Sequence, residues 1–394
     1  MIILFWVSIA IVFYTYIGYG ILIYGLVKIK RRFRKPEETI YNGLLPTVSI
    51  LIAAWNEEDM IYDKIVNTLA LDYPDKKLQL ICITDGATDR TPDIVARFTE
   101  VLHLHSGSRA GKMAAIERAI PFVNGEVIVF TDANTMLNAE ALRRLVAHYV
   151  NPRVGAVAGE KRIVSGKSAD ASTAGEGFYW KYESLLKKLD YALYSNVGAA
   201  GELFSVRTAL YRPIEKDTII DDHMIAMRIA EKGFIIAYEP KAYASETASA
   251  NSKEELKRKI RIAAGGIQSI VRLKQAANPF HIPVLAFQYI SHRVIRWAVA
   301  PFLMIFLLLS NIIIVLQTRQ DVYQIVLLFQ IIFYSSAILG YLLERKNLRI
   351  KLLFVPYYFC LMNYAAIAGF FRYLAKNQSA AWERSERKQQ PEIL

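Results

Sequence analysis

Residues 2–27 are almost entirely apolar or aromatic, and they run straight into Lys28, Lys30, Arg31, Arg32, Arg34 and Lys35. A bilayer-crossing helix needs about 20 consecutive apolar residues, so this end of the chain reads as a membrane span. No basic stretch precedes the run and no small-residue cleavage site follows it, which predicts a retained anchor (residues 1–28) rather than a signal peptide. The positive-inside bias puts the basic cluster in the cytoplasm and the N-terminus outside.

Three more apolar segments lie at the other end, at residues 298–317, 322–343 and 352–374. The first two are separated by a few polar residues, which predicts a tight hairpin. The loop after the second carries Arg345, Lys346, Arg349 and Lys351 and belongs in the cytoplasm by the same bias. Counting crossings then places the tail (375–394) outside, yet Arg372, Lys376, Arg384, Arg387 and Lys388 favour the cytoplasm. Either the last segment does not cross fully or the tail breaks the bias. Residues 283–297 mix apolar side chains with His292, Arg293, Arg296 and Trp297, the pattern of an amphipathic helix lying in the membrane interface; the alternative is the entry to a long tilted span.

Composition sharpens this division. Hydrophobic residues make up 54% of the 394, high for a soluble chain, and the excess sits at the two ends. The net charge of +12 fits a polybasic membrane edge better than nucleic acid, because the basic cluster directly follows a span. Cys82 and Cys360 are the only cysteines; they exclude a disulfide framework and a cysteine-rich metal site, so the globular part requires no oxidising compartment.

Between the ends, short apolar runs alternate with helical patterns, as in an α/β domain. Buried strands are predicted at residues 48–52, 80–83, 101–104 and 127–130, with helices at 88–97 and 114–120. Polar residues stand where these strands stop, notably Asp85 and Asp132. Ligands of open α/β sheets bind beyond the carboxyl ends of the strands, so these two mark a candidate pocket, although a plain turn also accounts for Asp85 before Gly86. No G-x-G-x-x-G follows a strand. The run from Gly107 to Met113 is one residue short of a P-loop and has Met113 where a magnesium-touching hydroxyl belongs. His103 and His105 alternate along a strand without further ligands and are expected to pack or face solvent.

Several motifs in order resemble glycosyltransferase family 2, in its membrane-bound polysaccharide-synthase-like branch. "VSILIAAWNEED" is similar to the family's strand followed by P-x-Y-N-E-E, with Ala53 and Trp55 at the proline and tyrosine positions. "LDYP" and "ITDGATDRT" follow, the latter close to D-D-G-S-T-D. "RAGKMAAI" and "FTDANTML" resemble the G-K-A-x-A-L and D-x-D elements. "GAAGELFSVRTALYRP", "IIDDHMIAMRI" and "ELKRKIRIAAGG" stand where an acceptor-side glycine stretch, an acidic pair and Q-x-x-R-W occur. The resemblance covers about residues 47–270.

What it implies is a GT-A fold, an α/β nucleotide-sugar-binding domain over residues 47–275 joined to transmembrane α-helices. By the same resemblance, Ala53, Glu57 and Asp85 would line the nucleotide, of the UDP type, with Lys112 nearby. Asp132 and Asn134 would hold the diphosphate through Mg2+ or Mn2+. Asp222, beside Asp221, would be the general base, although an acidic pair before a helix also fits N-capping. Arg258 and Arg261 would meet donor phosphates or the phosphate of a lipid-linked acceptor, or form a solvated basic face. The chemistry is consistent with this set: a leaving diphosphate needs a cation, and an acceptor hydroxyl needs a carboxylate within reach. Asn134 in place of the second Asp of D-x-D contributes less charge. Ile262 replaces the tryptophan that the family associates with a growing chain's terminal sugar, which weighs against processive synthesis.

The expectation is therefore an inverting, metal-dependent hexosyl- or N-acetylhexosaminyltransferase in the bacterial inner membrane, with its catalytic domain cytoplasmic. Its partners would be a nucleotide-sugar donor, a glycan or lipid-linked acceptor, membrane lipid and, where they occur, membrane subunits; nucleic acid is not among them. The alternatives are a processive synthase that translocates its polysaccharide, a polyprenyl-phosphate sugar synthase, and a non-catalytic membrane scaffold.

Overall fold

The computed structural model describes residues 1–33, 45–164, 171–247, 252–346, 348 and 350–376. Arg34, Lys35, Arg349 and the tail from residue 377, which entered the charge argument above, lie outside these.

The first helix, α1, runs Ile2–Phe33. Then follow β1 (Val48–Ala54), α2 (Ile61–Leu69), β2 (Leu78–Asp85), α3 (Thr91–Val95), β3 (Val101–Ser106), α4 (Lys112–Ala119), β4 (Val127–Asp132), β5 (Met136–Leu137) and α5 (Ala141–Ala147). The second half of the domain comprises β6 (Val154–Val164), α6 (Ala171–Leu193), β7 (Phe204–Arg207), α7 (Asp221–Ala230), β8 (Ile235–Thr247) and α8 (Ser252–Arg272). Three long helices close the described chain: α9 (Pro283–Thr318), α10 (Asp321–Arg345) and α11 (Lys351–Leu374).

All eight strands form one mixed sheet in the order β3-β2-β1-β4-β7-β6-β8-β5. The four strands foreseen in the sequence form its β3-β2-β1-β4 half, all parallel; β1, β2 and β4 were legible because a parallel strand covered on both faces is apolar throughout, while β3 is a half-exposed edge strand. Every residue of β1 is buried. Its side chains alternate between two cores: Leu51 and Ala53 pack towards α4 and α7, while Ile50, Ile52 and Ala54 pack towards α2 and α5. That is the period of two that a strand imposes. Strand order turns back between β1 and β4, the switch point at which such sheets open a crevice. Register puts Ala53 opposite both Ile83 and Asp132, so the polar ends of β1, β2 and β4 meet at one edge.

Residues 283–297 are not a separate helix. They are the first part of α9, which continues to Thr318, and Gln288, His292, Arg293 and Arg296 bond Asp190 or Glu183 of α6. Both α1 and α9 widen to π-helical turns, at Tyr14–Gly18 and Ile290–Val299, where they meet; Tyr14 Oη lies 2.8 Å from Ser291 Oγ there. Among the described residues, four helices, α1, α9, α10 and α11, are long and apolar enough to cross a membrane.

Candidate active site

The site grows from the C-terminal ends of β1, β2 and β4. After β1 the chain turns through Asn56 at φ 54° and buries Glu57, whose backbone N–H donates to Thr91 Oγ1 at 2.8 Å. Trp55 donates from its indole to Gly86 O at 3.2 Å, and the Arg109 guanidinium lies 3.5 Å from the centre of its ring. Gly86 has φ +63°, and a Cβ there would come within 2.5–2.6 Å of Arg109. Only glycine lets the 107–111 loop approach β2 this closely.

Asp85 organises that loop. Its Oδ2 accepts from the Ala110 and Gly111 backbone N–H groups at 2.9 and 2.7 Å, and its Oδ1 pairs with Arg118 at 2.9 Å. The carboxylate is thus engaged within the protein, and it sets where α4 begins. Lys112, the first residue of α4, is thereby aimed at three carboxylates.

Lys112 Nζ lies 3.0 Å from Asp132 Oδ1 and 3.4 Å from Asp221 Oδ2, with Asp222 close enough to add to the field. These acids and Arg258 and Arg261 line one cavity of about 360 Å³. Ala53, Glu57, Asp85 and Asn134 are not in its lining; they sit on the β1–β2–β4 edge beside it. Asp221 and Asp222 are the first residues of α7, and Ile220 holds the N-cap position, so the acids are presented to the cavity rather than spent as caps. Burial and the neighbouring Asp221 push the Asp222 carboxyl up to about 7, against the opposing charge of Lys112. Gly201 leaves room beside it: a Cβ there would stand 3.5 Å from Asp222 Oδ2 and 3.7 Å from Lys112 Nζ.

Four features of the site went unnoticed in the sequence. Beneath the Asp132 turn, Lys64 is completely buried and donates to Thr131 Oγ1 at 2.8 Å and Thr135 O at 2.7 Å. Burial lowers its ammonium to about 7, and the charge of Asp132 works the other way. The signal was present: Ile61, Lys64, Ile65 and Thr68 are the inward face of α2, and a lysine on that stripe is out of place. Second, Lys161 of β6 pairs with Glu202 at 2.6 Å and with Glu246 of β8. Burial opposes ionisation of Glu202, but Lys161 holds its carboxyl well below the usual range.

Third, two indoles line the cavity, Trp180 of α6 and Trp297 of α9. Lys259 and Lys161 stand 5.2 and 5.9 Å from the Trp180 ring. His223 is buried 5.5 Å from the Trp297 ring, and burial lowers its imidazole to about 3, so it is neutral at any working pH. Last, Met362, Ala365 and Ala366 of α11 complete the wall. Sequence spacing could not have found them, since α11 reaches the cavity only through tertiary packing.

Arg258 is committed to Glu255 by bonds of 3.1 and 3.0 Å, and Arg261 stands one turn further along α8. His103 and His105 do not approach the cavity; both ring nitrogens bond Thr84 Oγ1, at 2.8 and 2.9 Å. Among the described residues, no group of three or more His, Cys, Asp or Glu side chains could hold a metal ion alone. Asp132 and Asn134 instead offer one carboxylate and one amide, a hard oxygen set that fits a divalent cation shared with a diphosphate.

Residues 49–208 match the family described as Glycosyl transferase family 2. The β-monoglucosyldiacylglycerol synthase of Nostoc sp. strain PCC 7120 is 30% identical over 226 residues, which cover 53% of this chain and 46% of that protein. The poly-β-1,6-N-acetyl-D-glucosamine synthase of Staphylococcus aureus strain MSSA476 is 25% identical over 239 residues, covering 58% and 56%. The chain thus spans about half the length of these curated relatives. A mannosyltransferase from Pyrobaculum calidifontis, solved with GDP-Man and Mn2+, superposes with a TM-score of 0.71 at 21% identity, over 95% of this chain and 100% of that one. The likeness establishes a GT-A-type fold.

Proposed function

We propose, from the match of residues 49–208 to the Glycosyl transferase family 2 model, that the chain is a membrane-embedded, inverting glycosyltransferase. It moves a hexosyl or N-acetylhexosaminyl group from a UDP-type nucleotide sugar to a lipid-linked or nascent glycan acceptor. The observation that carries this reading is a cavity in which Lys112, Asp132, Asp221 and Asp222 face Met362, Ala365 and Ala366 of an apolar helix.

In this mechanism the acceptor hydroxyl lies against Asp222, which takes its proton as the new C–O bond forms and the bond to the diphosphate breaks. Attack from the side opposite the leaving group inverts the anomeric centre. The diphosphate departs with the bonding electrons, and Lys112 stabilises the charge it gains. Asp132 and Asn134 would hold a divalent cation, whose chemistry is to neutralise the same diphosphate. Asp85 keeps Lys112 in place, and Arg258 and Arg261 give the acceptor side a cationic wall. The catalytic domain lies on the cytoplasmic side of a bacterial inner membrane, where nucleotide sugars are available.

A second reading, processive synthesis, draws support from Trp180 and Trp297, which offer stacking surfaces for sugar rings although Ile262 occupies the motif tryptophan's position. The test is nucleotide-diphosphate release by detergent-purified protein over a panel of nucleotide sugars, with Mg2+, Mn2+ or EDTA, for the wild type and Asp222→Asn. Metal-dependent turnover of one donor, lost in the variant, supports transfer, and product length separates single addition from polymer. Donor binding without turnover on any lipid or glycan acceptor rejects catalysis in favour of a binding scaffold.

A further inference from the structure

α11 satisfies the length and apolarity of a membrane span, but its contacts keep it away from one end of the bundle. The end of the bundle remote from the catalytic domain is marked by Phe5, Leu307, Ile314 and Tyr323, which form one apolar cluster; Trp6 donates to Tyr323 Oη there. No residue of α11 belongs to that cluster. At its start, α11 meets the last turns of α10: Gly340 lies so close to Leu353 and Tyr357 that a side chain there would collide with them. In its middle, Phe359 packs 4.7 Å from Tyr16, and Asn363 accepts the Tyr16 hydroxyl. Near its end, Phe370 packs 5.1 Å from Phe302, and a Cβ on Gly369 would come within 2.6–2.9 Å of Ala263, Ala264 and Ile260 of α8.

Phe359 also packs 5.8 Å from Phe333 of α10, so the partners of α11 spread over about 10 Å of height and none reaches the far cluster. At about 1.5 Å per residue, Gly340 is roughly 25 Å along α10 from Tyr323, and Phe302 is roughly 18 Å along α9 from Ile314. From Tyr357 to Phe370, α11 covers about 20 Å of its own axis. Had it run along the bundle from Gly340, Phe370 would lie beside Phe5 and Ile314. It lies instead against α8, a helix of the catalytic domain.

We infer that α11 does not cross the bilayer but lies in the plane of the leaflet facing the catalytic domain, so that the chain crosses three times. One of its faces presents Met362, Ala365 and Ala366 to the cavity, and the other exposes Leu352, Val355, Tyr364, Phe371 and Leu374, which lipid would cover. Lys351 stands at one end of α11 and Arg372 and Lys376 at the other, so all three can meet the same anionic surface. The conflict between the crossing count and the charges after residue 371 disappears. A cavity walled by an in-plane helix opens towards lipid of that leaflet, so an acceptor anchored there needs no passage through water.

The inference rests on the membrane reading proposed above but not on glycosyl transfer. Its test is single cysteines at Gln320, Lys346 and Lys376 in the full chain with Cys82 and Cys360 replaced by alanine, labelled by a membrane-impermeant maleimide in sealed vesicles of each orientation. We expect Lys376→Cys to label from the same face as Lys346→Cys, with labelling lost from the face that reaches Gln320→Cys. Labelling of Lys376→Cys together with Gln320→Cys overturns it. Labelling of Gln320→Cys and Lys346→Cys from one face overturns the membrane reading beneath it. A reporter fused after residue 394 of the unaltered chain, fluorescent when cytoplasmic and enzymatically active when exported, reads the same side without disturbing Cys82, which is fully buried.

Discussion

Lys112 Nζ stands between Asp132 and Asp221, 3.0 Å from one carboxylate and 3.4 Å from the other. One cation among three buried or half-buried acids leaves the cluster negative, and Asp222 absorbs the imbalance. Its carboxyl is raised to about 7 by burial and by Asp221, and Lys112 limits the rise. Substrate therefore meets a cluster that is still net negative, in which Asp222 is the group that changes protonation most readily.

The pH dependence of turnover follows. A base that is protonated cannot take the acceptor's proton, so kcat/KM is expected to fall as pH drops through about 7 and to level off above it. Lys112→Met removes the charge that favours the ionised form, so the inflection should move to higher pH while overall activity falls. A steady-state pH series on both proteins checks this. An inflection in the ordinary carboxylate range near pH 4 would remove Asp222 from the role of base.

Metal binding should depend on the donor. Asp132 is the one carboxylate of the D-x-D-like turn, and its Oδ1 is already bonded to Lys112. A hard cation held by one or two protein oxygens completes its shell with phosphate and water. Manganese titrations followed by electron paramagnetic resonance are expected to show weak binding to the free protein and binding at least about tenfold tighter with nucleoside diphosphate, a coupling of about 1.4 kcal/mol. Asp132→Ala should abolish the difference. Tight binding without nucleotide would mean that other side chains complete the shell.

How much of this was legible in the sequence depended on whether a feature is local. β1, β2 and β4 announced themselves because strands buried on both faces are apolar along their length, the edge strand β3 by its alternation of apolar residues with His103 and His105, and Asp85 and Asp132 because they end such strands. β6 and β8 escaped notice, since Lys161 and Glu246 sit within them as a buried ion pair whose two halves are distant in sequence. Asp85 was foreseen at the nucleotide edge, but its engagement with Ala110, Gly111 and Arg118 depends on loop geometry that spacing does not encode. The cavity's far wall was beyond reach for the same reason: Met362 and Ala366 read as ordinary apolar residues until α11 is seen packed on α8.

Lys64 holds the Asp132 turn from below. Its bonds to Thr131 and Thr135 bracket that turn, and Thr131 Oγ1 donates onward to Glu202 O at 2.9 Å, which ties the turn to the Glu202 loop. Lys64→Met keeps the volume and removes the donors. Because small misplacements of reacting groups are costly, up to about 10²-fold for an ångström, we expect kcat to fall by about tenfold or more while thermal stability changes little. Thr135→Val, which keeps the Thr135 carbonyl that accepts from Lys64 but removes the hydroxyl that donates to Asp132 O at 3.0 Å, should show a smaller loss of the same kind. Unchanged kcat in Lys64→Met would reduce Lys64 to a packing residue.

Glu183 joins α6 of the catalytic domain to α9. Its side chain is 5% exposed and meets Arg293 and Arg296 at 2.8 Å each, with His292 at 3.4 Å. Burial alone would raise this carboxyl, but the two guanidinium groups and the imidazole hold it well below the usual range. His292 turns its other nitrogen to Asp190 at 2.6 Å, and Asp190 also accepts the hydroxyl of Tyr19 on α1, so one acidic pair docks the domain onto two membrane helices. Glu183→Gln leaves two guanidinium groups partly buried without their counter-charge, for which the cost is about 3–5 kcal/mol. The apparent melting midpoint of the detergent-purified protein should fall clearly. Adding Arg296→Met should recover part of the loss, because it removes one of the stranded charges. A single variant as stable as the wild type, or a double variant less stable than the single, would mean that apolar packing rather than this ion cluster holds the domain to the membrane helices.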